Sequence, residues 1–271
     1  MINVVLLQNY NRGGENVKLA IIGGSLLKRL SGFAAVTEEQ VKTHFGLPSD
    51  RFISGKIDGV DVVYLNRHGH SHHLAPHMIN YQANMYALKK LDVTHILAMT
   101  AVGGITQNMS PMKWVVPNQL IDYTYGRMHS FHGETDVQHI DFSYPFNHDL
   151  REKLIATLEE INFQHQTQAT YGVTQGPRLE TIAEINRMQN DGCDIVGMTV
   201  MPEASLAREL DMHYVTLSLV VNWAAGKSDG VTAQGSSDVI EEISMEDINQ
   251  RIADGSKAVE GIIERFISLL N

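Results

Sequence analysis

Several short stretches of this sequence carry residue types suited to holding an anion. Arg67-His68 follows an apolar run, and the planar donor fork of an arginine matches the oxygens of a phosphate. Gly23-Gly24-Ser25 follows another such run. Backbone N–H groups at a Gly-Gly turn, with a serine hydroxyl beside them, can cradle an anion. Thr100 and Thr199 add hydroxyls near the ends of two further apolar runs. Taken singly, each has a bland reading: an arginine after a strand is usually a surface cation, and Gly-Gly is usually just a turn. The glycines form neither a dinucleotide fingerprint, because Lys28 and Arg29 stand where glycine would be needed, nor a Walker loop.

Other chemistries fit less well. His68, His70, His72, His73 and His77 are close in sequence, and in an extended segment the first three would share a face. Zinc histidines usually have wider spacing or helical i, i+4 placement, and no Cys, Asp or Glu lies within the cluster. The metal expectation is therefore none. A serine hydrolase is disfavoured because Gly24-Ser25-Leu26 lacks the second glycine of G-x-S-x-G. Glu180 and Glu203 precede or open helical stretches, where a carboxylate favours the helix dipole.

Composition narrows the class. The chain has 271 residues, 21 Lys+Arg against 31 Asp+Glu, and a formal charge of −10. It has no long basic cluster, which argues against a nucleic-acid partner. An acidic protein that binds an anion must use a few placed groups, because its overall field repels the ligand. The single cysteine, Cys193, forbids an intrachain disulfide and reads as a small buried hydrophobe. No apolar stretch approaches a membrane span, and the first ten residues lack a basic n-region and a cleavage site. The expected location is the cytoplasm.

The elements that must position these residues alternate between strands and helices. Lys18 to Ser25 reads as a buried strand ending in a turn, Val60 to Leu65 as a second, and His95 to Met99 as a third that closes on Thr100 to Gly104. Pro76 opens a helix expected to run through Ile79, Ala83 and Lys90. Ile182, Ile185 and Met188 mark another helix. Asp194 to Val200 reads as a strand, Pro202 opens a helix, and Val215 to Val221 alternates along a strand ending at Asn222. Ile248, Ile252, Val259, Ile262, Phe266 and Leu270 mark one buried face of a last helix. The expected fold is α/β, one mixed β-sheet flanked by helices in a single domain over residues 1–271, with residues 1–16 unassigned. The polar motifs fall at C-terminal strand ends, where open α/β sheets bind ligands.

In this order and spacing the motifs resemble the 5′-methylthioadenosine phosphorylase branch of the trimeric purine nucleoside phosphorylases. The resemblance covers Lys18 to the last helix. It rests on Gly23-Gly-Ser25, Arg67-His-Gly69, Pro76 to Asn84, Ala98 to Gly103, Gly176-Pro-Arg178 and Gly197 to Glu203. It implies phosphate binding by Ser25, Arg67, His68, Thr100, the backbone of Ala101, and Thr199. Met198 matches a residue lying against the ribose, and Leu179 a base-stacking position. His139 matches a histidine lent by a neighbouring subunit, which implies a homotrimer or a dimer of trimers. No cofactor is implied, inorganic phosphate being a co-substrate.

Departures from that branch point to the base. Adenine-specific members carry aspartates where this chain has Asn222 and Ala224, and a small residue where it has Glu180. An asparagine can donate to O6 and accept from N7–H, and Glu180 matches a glutamate that accepts N1–H in 6-oxopurine phosphorylases. The pattern therefore resembles S-methyl-5′-thioinosine phosphorylases, with Asn222 and Glu180 as the expected catalytic pair. Methylthioadenosine and inosine or guanosine cleavage remain alternatives, as do a histidine-cluster metallohydrolase and a non-catalytic purine-binding module.

Overall fold

A computed structural model describes residues 17–27, 32–133, 136–228 and 243–270. The unassigned stretch 1–16 and the Lys28-Arg29 pair lie outside the described residues. The strands are β1 (Lys18–Gly23), β2 (Ala34–Glu39), β3 (Phe52–Ile57), β4 (Val60–Asn66), β5 (His95–Gly104), β6 (Trp114–Val115), β7 (Gln119–Asp122), β8 (His165–Gln166), β9 (Thr170–Val173), β10 (Ile195–Gly197) and β11 (His213–Trp223). The helices are α1 (Tyr81–Lys90), α2 (His148–Glu160), α3 (Ile182–Asn190), α4 (Val200–Glu209) and α5 (Met245–Ser268).

The strands form one mixed sheet in the order β2-β3-β4-β1-β5-β10-β9-β7, with β11 lying along β5 and carrying β6 and β8. Its central strands read as continuous apolar runs because both faces are covered. Side chains alternate between two cores. Ala20, Ile22, Ala98 and Val102 pack with Met85 and Leu88 of α1 and with Leu206 of α4. Leu19, Ile21, Leu97 and Leu217 pack on the opposite face with Leu154 of α2 and with Val259 and Phe266 of α5. The α/β layering expected from the sequence is what forms. No described helix is long and apolar enough to cross a membrane.

Three expected boundaries move. The helix expected from Pro76 onward is split: Pro76–Met78 forms a single 3-10 turn, and Ile79 is extended at ψ 132°. Asn80 then caps α1 by accepting from the Ala83 N–H. Asparagine competes for backbone in this way at helix starts, which a hydropathy pattern does not register. β5 continues to Gly104 instead of stopping at Met99, because β11 pairs with it along its whole length. The strand expected over Asp194 to Val200 is only Ile195–Gly197, since the chain turns at Met198 into α4.

The length of β5 creates the feature that positions the site. One edge of β5 is taken by β11 throughout. The other edge pairs with β1 only as far as Ala98 and with β10 only from Gly103. Between those limits, Met99 to Val102 have no ladder partner on that edge among the described residues. Such a change of partner is a switch point, where an α/β sheet opens a crevice for ligands.

Candidate active site at the β5 switch point

The crevice at the switch point gathers most of the expected anion-binding residues. Arg67, just past β4, is 1% exposed. Its Nη1 donates to the Met99 carbonyl at 3.0 Å, on the unpaired edge of β5, and more weakly to the Gly23 carbonyl at 3.5 Å. Gly24 is needed here, because a Cβ on it would stand 2.9 Å from that Nη1. Ser25 Oγ lies 3.5 Å from His72 Nε2, and the His72 ring lies 4.4 Å from that of His68, tilted by 36°. A small cleft is lined by Gly23, Gly24, Arg67, His68 and His72.

Thr100 is buried, with its hydroxyl 2.7 Å from Ser218 Oγ of β11. Ala101 follows it on the same open edge and is half-buried. Thr199 is the N-cap of α4 but makes no side-chain capping bond. That leaves a buried hydroxyl at a helix N-terminus, where anions are favoured.

The sequence did not disclose what holds Arg67. Its Nε and Nη2 donate to the Glu203 carboxylate at 2.9–3.0 Å, and Glu203 is also 1% exposed. Glu203 does not merely face the dipole of α4. It neutralises the arginine, and little of the guanidinium's donor capacity remains for a ligand. Negative charge at the crevice must be balanced largely by backbone N–H groups, hydroxyls and helix α4.

The histidines are committed differently from a metal cluster. The segment after Arg67 is a turn, not the extended run in which alternate histidines share a face. His68 Nδ1 donates to the Leu74 carbonyl at 2.8 Å, because a carbonyl can only accept. Among the described residues no group of His, Cys, Asp and Glu could hold a metal ion.

The residues expected on the purine side lie on neighbouring loops. Glu180 lines a cavity of about 400 Å³ with Tyr123, Thr174, Gln175, Arg178 and Met188. Its Oε1 accepts from Thr174 Oγ1 at 2.6 Å. Leu179 is exposed beside it. Gly176, at φ +58°, sits so close to Met198 that a Cβ would meet its sulfur at 2.4 Å. Asn222, at the end of β11, donates from Nδ2 to the Trp223 carbonyl at 2.6 Å. Its loop returns to the start of α3, where Gly226 packs on Ile182. Ala224 is buried among Ile105, Ile185 and Met188. His139 is exposed on the irregular stretch before α2 and does not line the Glu180 cavity. Asn222, Leu179 and Met198 also stand outside that lining.

A family model described as "Phosphorylase superfamily" matches residues 18–268. The chain belongs to the phosphorylase superfamily. A probable S-methyl-5′-thioinosine phosphorylase of Pseudomonas syringae pv. tomato is 46% identical over 251 residues, covering 92% of this chain and 98% of that protein. A probable 6-oxopurine nucleoside phosphorylase of Thermococcus kodakarensis is 40% identical over 218 residues, 78% of this chain and 81% of its own length. The solved structure of methylthioadenosine phosphorylase from Schistosoma mansoni with adenine superposes with a TM-score of 0.84 at 30% identity, covering 94% of this chain and 92% of that one. This phosphorylase thus has the nucleoside phosphorylase fold and enzyme class that its motifs resemble.

Burial gives this phosphorylase a defined acid response. His68 is held down to about 4 by loss of water, with the nearby Arg67 and His72 adding to the effect. His95, beside His213 and Lys153, is likewise pushed down to about 4, again chiefly by burial. Free histidine titrates near 6.5. Below that pH the unfolded chain takes up protons that the folded one refuses, so stability present above pH 6.5 is lost as pH falls toward 4. Each neutral histidine contributes at most about 1.4 kcal/mol per pH unit in this window. The urea midpoint at pH 5 is expected to lie below that at pH 7.5, and His95→Gln should flatten the difference. A pH-independent midpoint across this range refutes the assignment.

Proposed function

We propose that this phosphorylase cleaves the N-glycosidic bond of a 6-oxopurine nucleoside with inorganic phosphate. The substrate that fits best is S-methyl-5′-thioinosine, giving hypoxanthine and 5-methylthioribose 1-phosphate in purine salvage. The observation that carries the reading is Glu180, fixed on the cavity wall by the Thr174 hydroxyl. A carboxylate there accepts the N1–H of a 6-oxopurine and has nothing to accept from unprotonated N1 of adenine. The Pseudomonas and Thermococcus relatives, named as probable S-methyl-5′-thioinosine and 6-oxopurine nucleoside phosphorylases, support a 6-oxopurine.

In this reading the C1′–N9 bond stretches until the sugar is oxocarbenium-like and the purine carries negative charge. Asn222 and Glu180 stabilise the purine, Leu179 stacks on it, and Met198 lies against the ribose. Phosphate sits on the opposite ring face, held by Ser25, His68, Thr100, the backbone of Ala101, and Thr199, with Arg67 behind them. The phosphate oxygen bonds to C1′, the C1′–N9 electron pair leaves with the base, and the proton of HPO₄²⁻ balances the one gained by hypoxanthine. No cofactor takes part. The enzyme works in the cytoplasm as one domain per chain, in a homotrimer or dimer of trimers where His139 reaches a neighbour's 5′ pocket.

The test is phosphate-dependent release of base from methylthioinosine, methylthioadenosine, inosine and guanosine. Methylthioinosine should have the highest kcat/KM. Some inosine turnover fits, because an apolar 5′ contact discriminates by only about 10–200-fold. Preference for methylthioadenosine, or release without phosphate, overturns the reading.

A further inference from the structure

Arg127 is a buried cation with no role so far. It follows β7 on an irregular segment and is 9% exposed. Its hydrogen bonds go to neutral acceptors. Nη1 donates to the Met198 and Met201 carbonyls and, at 3.3 Å, to Tyr81 Oη. Nη2 donates to the Thr174 and Gln175 carbonyls at 3.2 and 2.8 Å, and Nε to Gln175 Oε1 at 3.0 Å. The guanidinium also lies 5.4 Å from the Tyr81 ring centroid, a cation–π contact.

Apart from Tyr81, at the start of α1, these acceptors belong to two connections. Thr174 and Gln175 lead from β9 to Glu180. Met198 to Met201 lead from β10 into α4, passing Thr199. The loops also touch directly, at Gly176 against Met198 and through the Thr174 N–H to the Gly197 carbonyl at 2.8 Å. A buried charge is costly unless its donors are met, and here the planar fork of one arginine meets both loops at once. We propose that Arg127 is a positioning residue, fixing the base-side loop against the sugar-side loop and so setting the distance between purine and ribose. The catalytic part of this inference rests on the functional reading above. Misplacement of about 1 Å at a reacting pair can cost on the order of 10²-fold in rate.

The test uses Arg127→Lys, which keeps the charge but cannot satisfy a planar set of acceptors, and Gln175→Met, which removes one acceptor and leaves the cation. Arg127→Lys should lower kcat for methylthioinosine at least tenfold, with a smaller rise in KM for phosphate, because Thr199 lies on the loosened loop while Ser25, His68 and Thr100 do not. Gln175→Met should act in the same direction more weakly. Guanidinium ion added to Arg127→Ala should restore part of the lost kcat by meeting the same acceptors, and the loss should fall on kcat at an unchanged melting temperature in Gln175→Met, which a merely structural role would not produce. Independently of activity, amide exchange should quicken together in peptides spanning 174–176 and 198–201. Faster exchange in only one loop, or unchanged kcat and exchange in Arg127→Lys, overturns the inference; if Arg127→Lys does not fold, the same readouts on Gln175→Met decide. If wild type leaves methylthioinosine intact, the functional reading falls, and the exchange data still decide whether Arg127 couples the loops.

Discussion

Arg67→Ala should cost this phosphorylase about 3–5 kcal/mol of folding stability, the usual result of stranding one partner of a buried ion pair. Arg67 and Glu203 are each 1% exposed and joined by Nε and Nη2 donors. Removing the arginine leaves the Glu203 carboxylate without its partner, and the Met99 carbonyl on the open edge of β5 loses a donor. For a chain of this length the melting temperature should fall by on the order of 10 °C. Phosphate-dependent turnover should fall as well, by about 10²–10³-fold if Arg67 is a preorganised donor to the anion. The two effects can be separated. Replacing both partners of a buried pair by apolar residues is often neutral, so Arg67→Met with Glu203→Met should recover most of the stability. If the double variant also recovers phosphate saturation, Arg67 is a scaffold for the Gly23–Ser25 turn and not a phosphate ligand. If Arg67→Ala melts within about 2 °C of wild type, less than about 1 kcal/mol, the buried pair does not hold the site together.

The same pair shows what the sequence could not display. The apolar runs at Lys18 to Gly23 and Val60 to Leu65, and the alternation along Val215 to Val221, announce the central strands, because a strand covered on both faces is largely apolar. The glycines and Arg67-His68 can be placed at strand ends from those runs, as Thr199 can from the run over Asp194 to Val200, and the switch point brings most of them together. The partner of Arg67 lies 136 residues away, and no local periodicity encodes such a pairing. Glu203 looked like an ordinary residue of a helical first turn. Arg127 gave no signal either, since its acceptors are backbone carbonyls that any sequence possesses. β5 outruns its apolar stretch for a related reason. Gly103 and Gly104 are poor strand formers, and the strand persists to them because β11 pairs with it and because Ser218 meets Thr100.

Asn222→Asp should reduce kcat/KM for methylthioinosine relative to methylthioadenosine by about 10–100-fold. An amide can donate to O6 of the base, whereas a carboxylate would set acceptor against acceptor, at about 1–3 kcal/mol for the mismatch. The structure adds a complication. Asn222 Nδ2 already donates to the neighbouring Trp223 carbonyl, the kind of local bond by which asparagine shapes turns. An aspartate cannot make it, so some loss of stability accompanies the substitution whatever the base preference does. The ratio of catalytic efficiencies is therefore the informative quantity, because loss of folded enzyme lowers both substrates alike. Adding Ala224→Asp supplies the second acid of the adenine-type pair and should return some methylthioadenosine cleavage. It must also cost stability, since Ala224 is 3% exposed and packs with Ile105, Ile185, Met188 and Val196. A carboxylate buried there without a partner is strongly disfavoured in its charged form. Adenine or methylthioadenosine should consequently stabilise the double variant against heat more than hypoxanthine does, by offering that carboxylate a donor. A base ratio unchanged within twofold in Asn222→Asp, about 0.4 kcal/mol, would mean that Asn222 only shapes the turn after β11 and that Glu180 alone reads the purine.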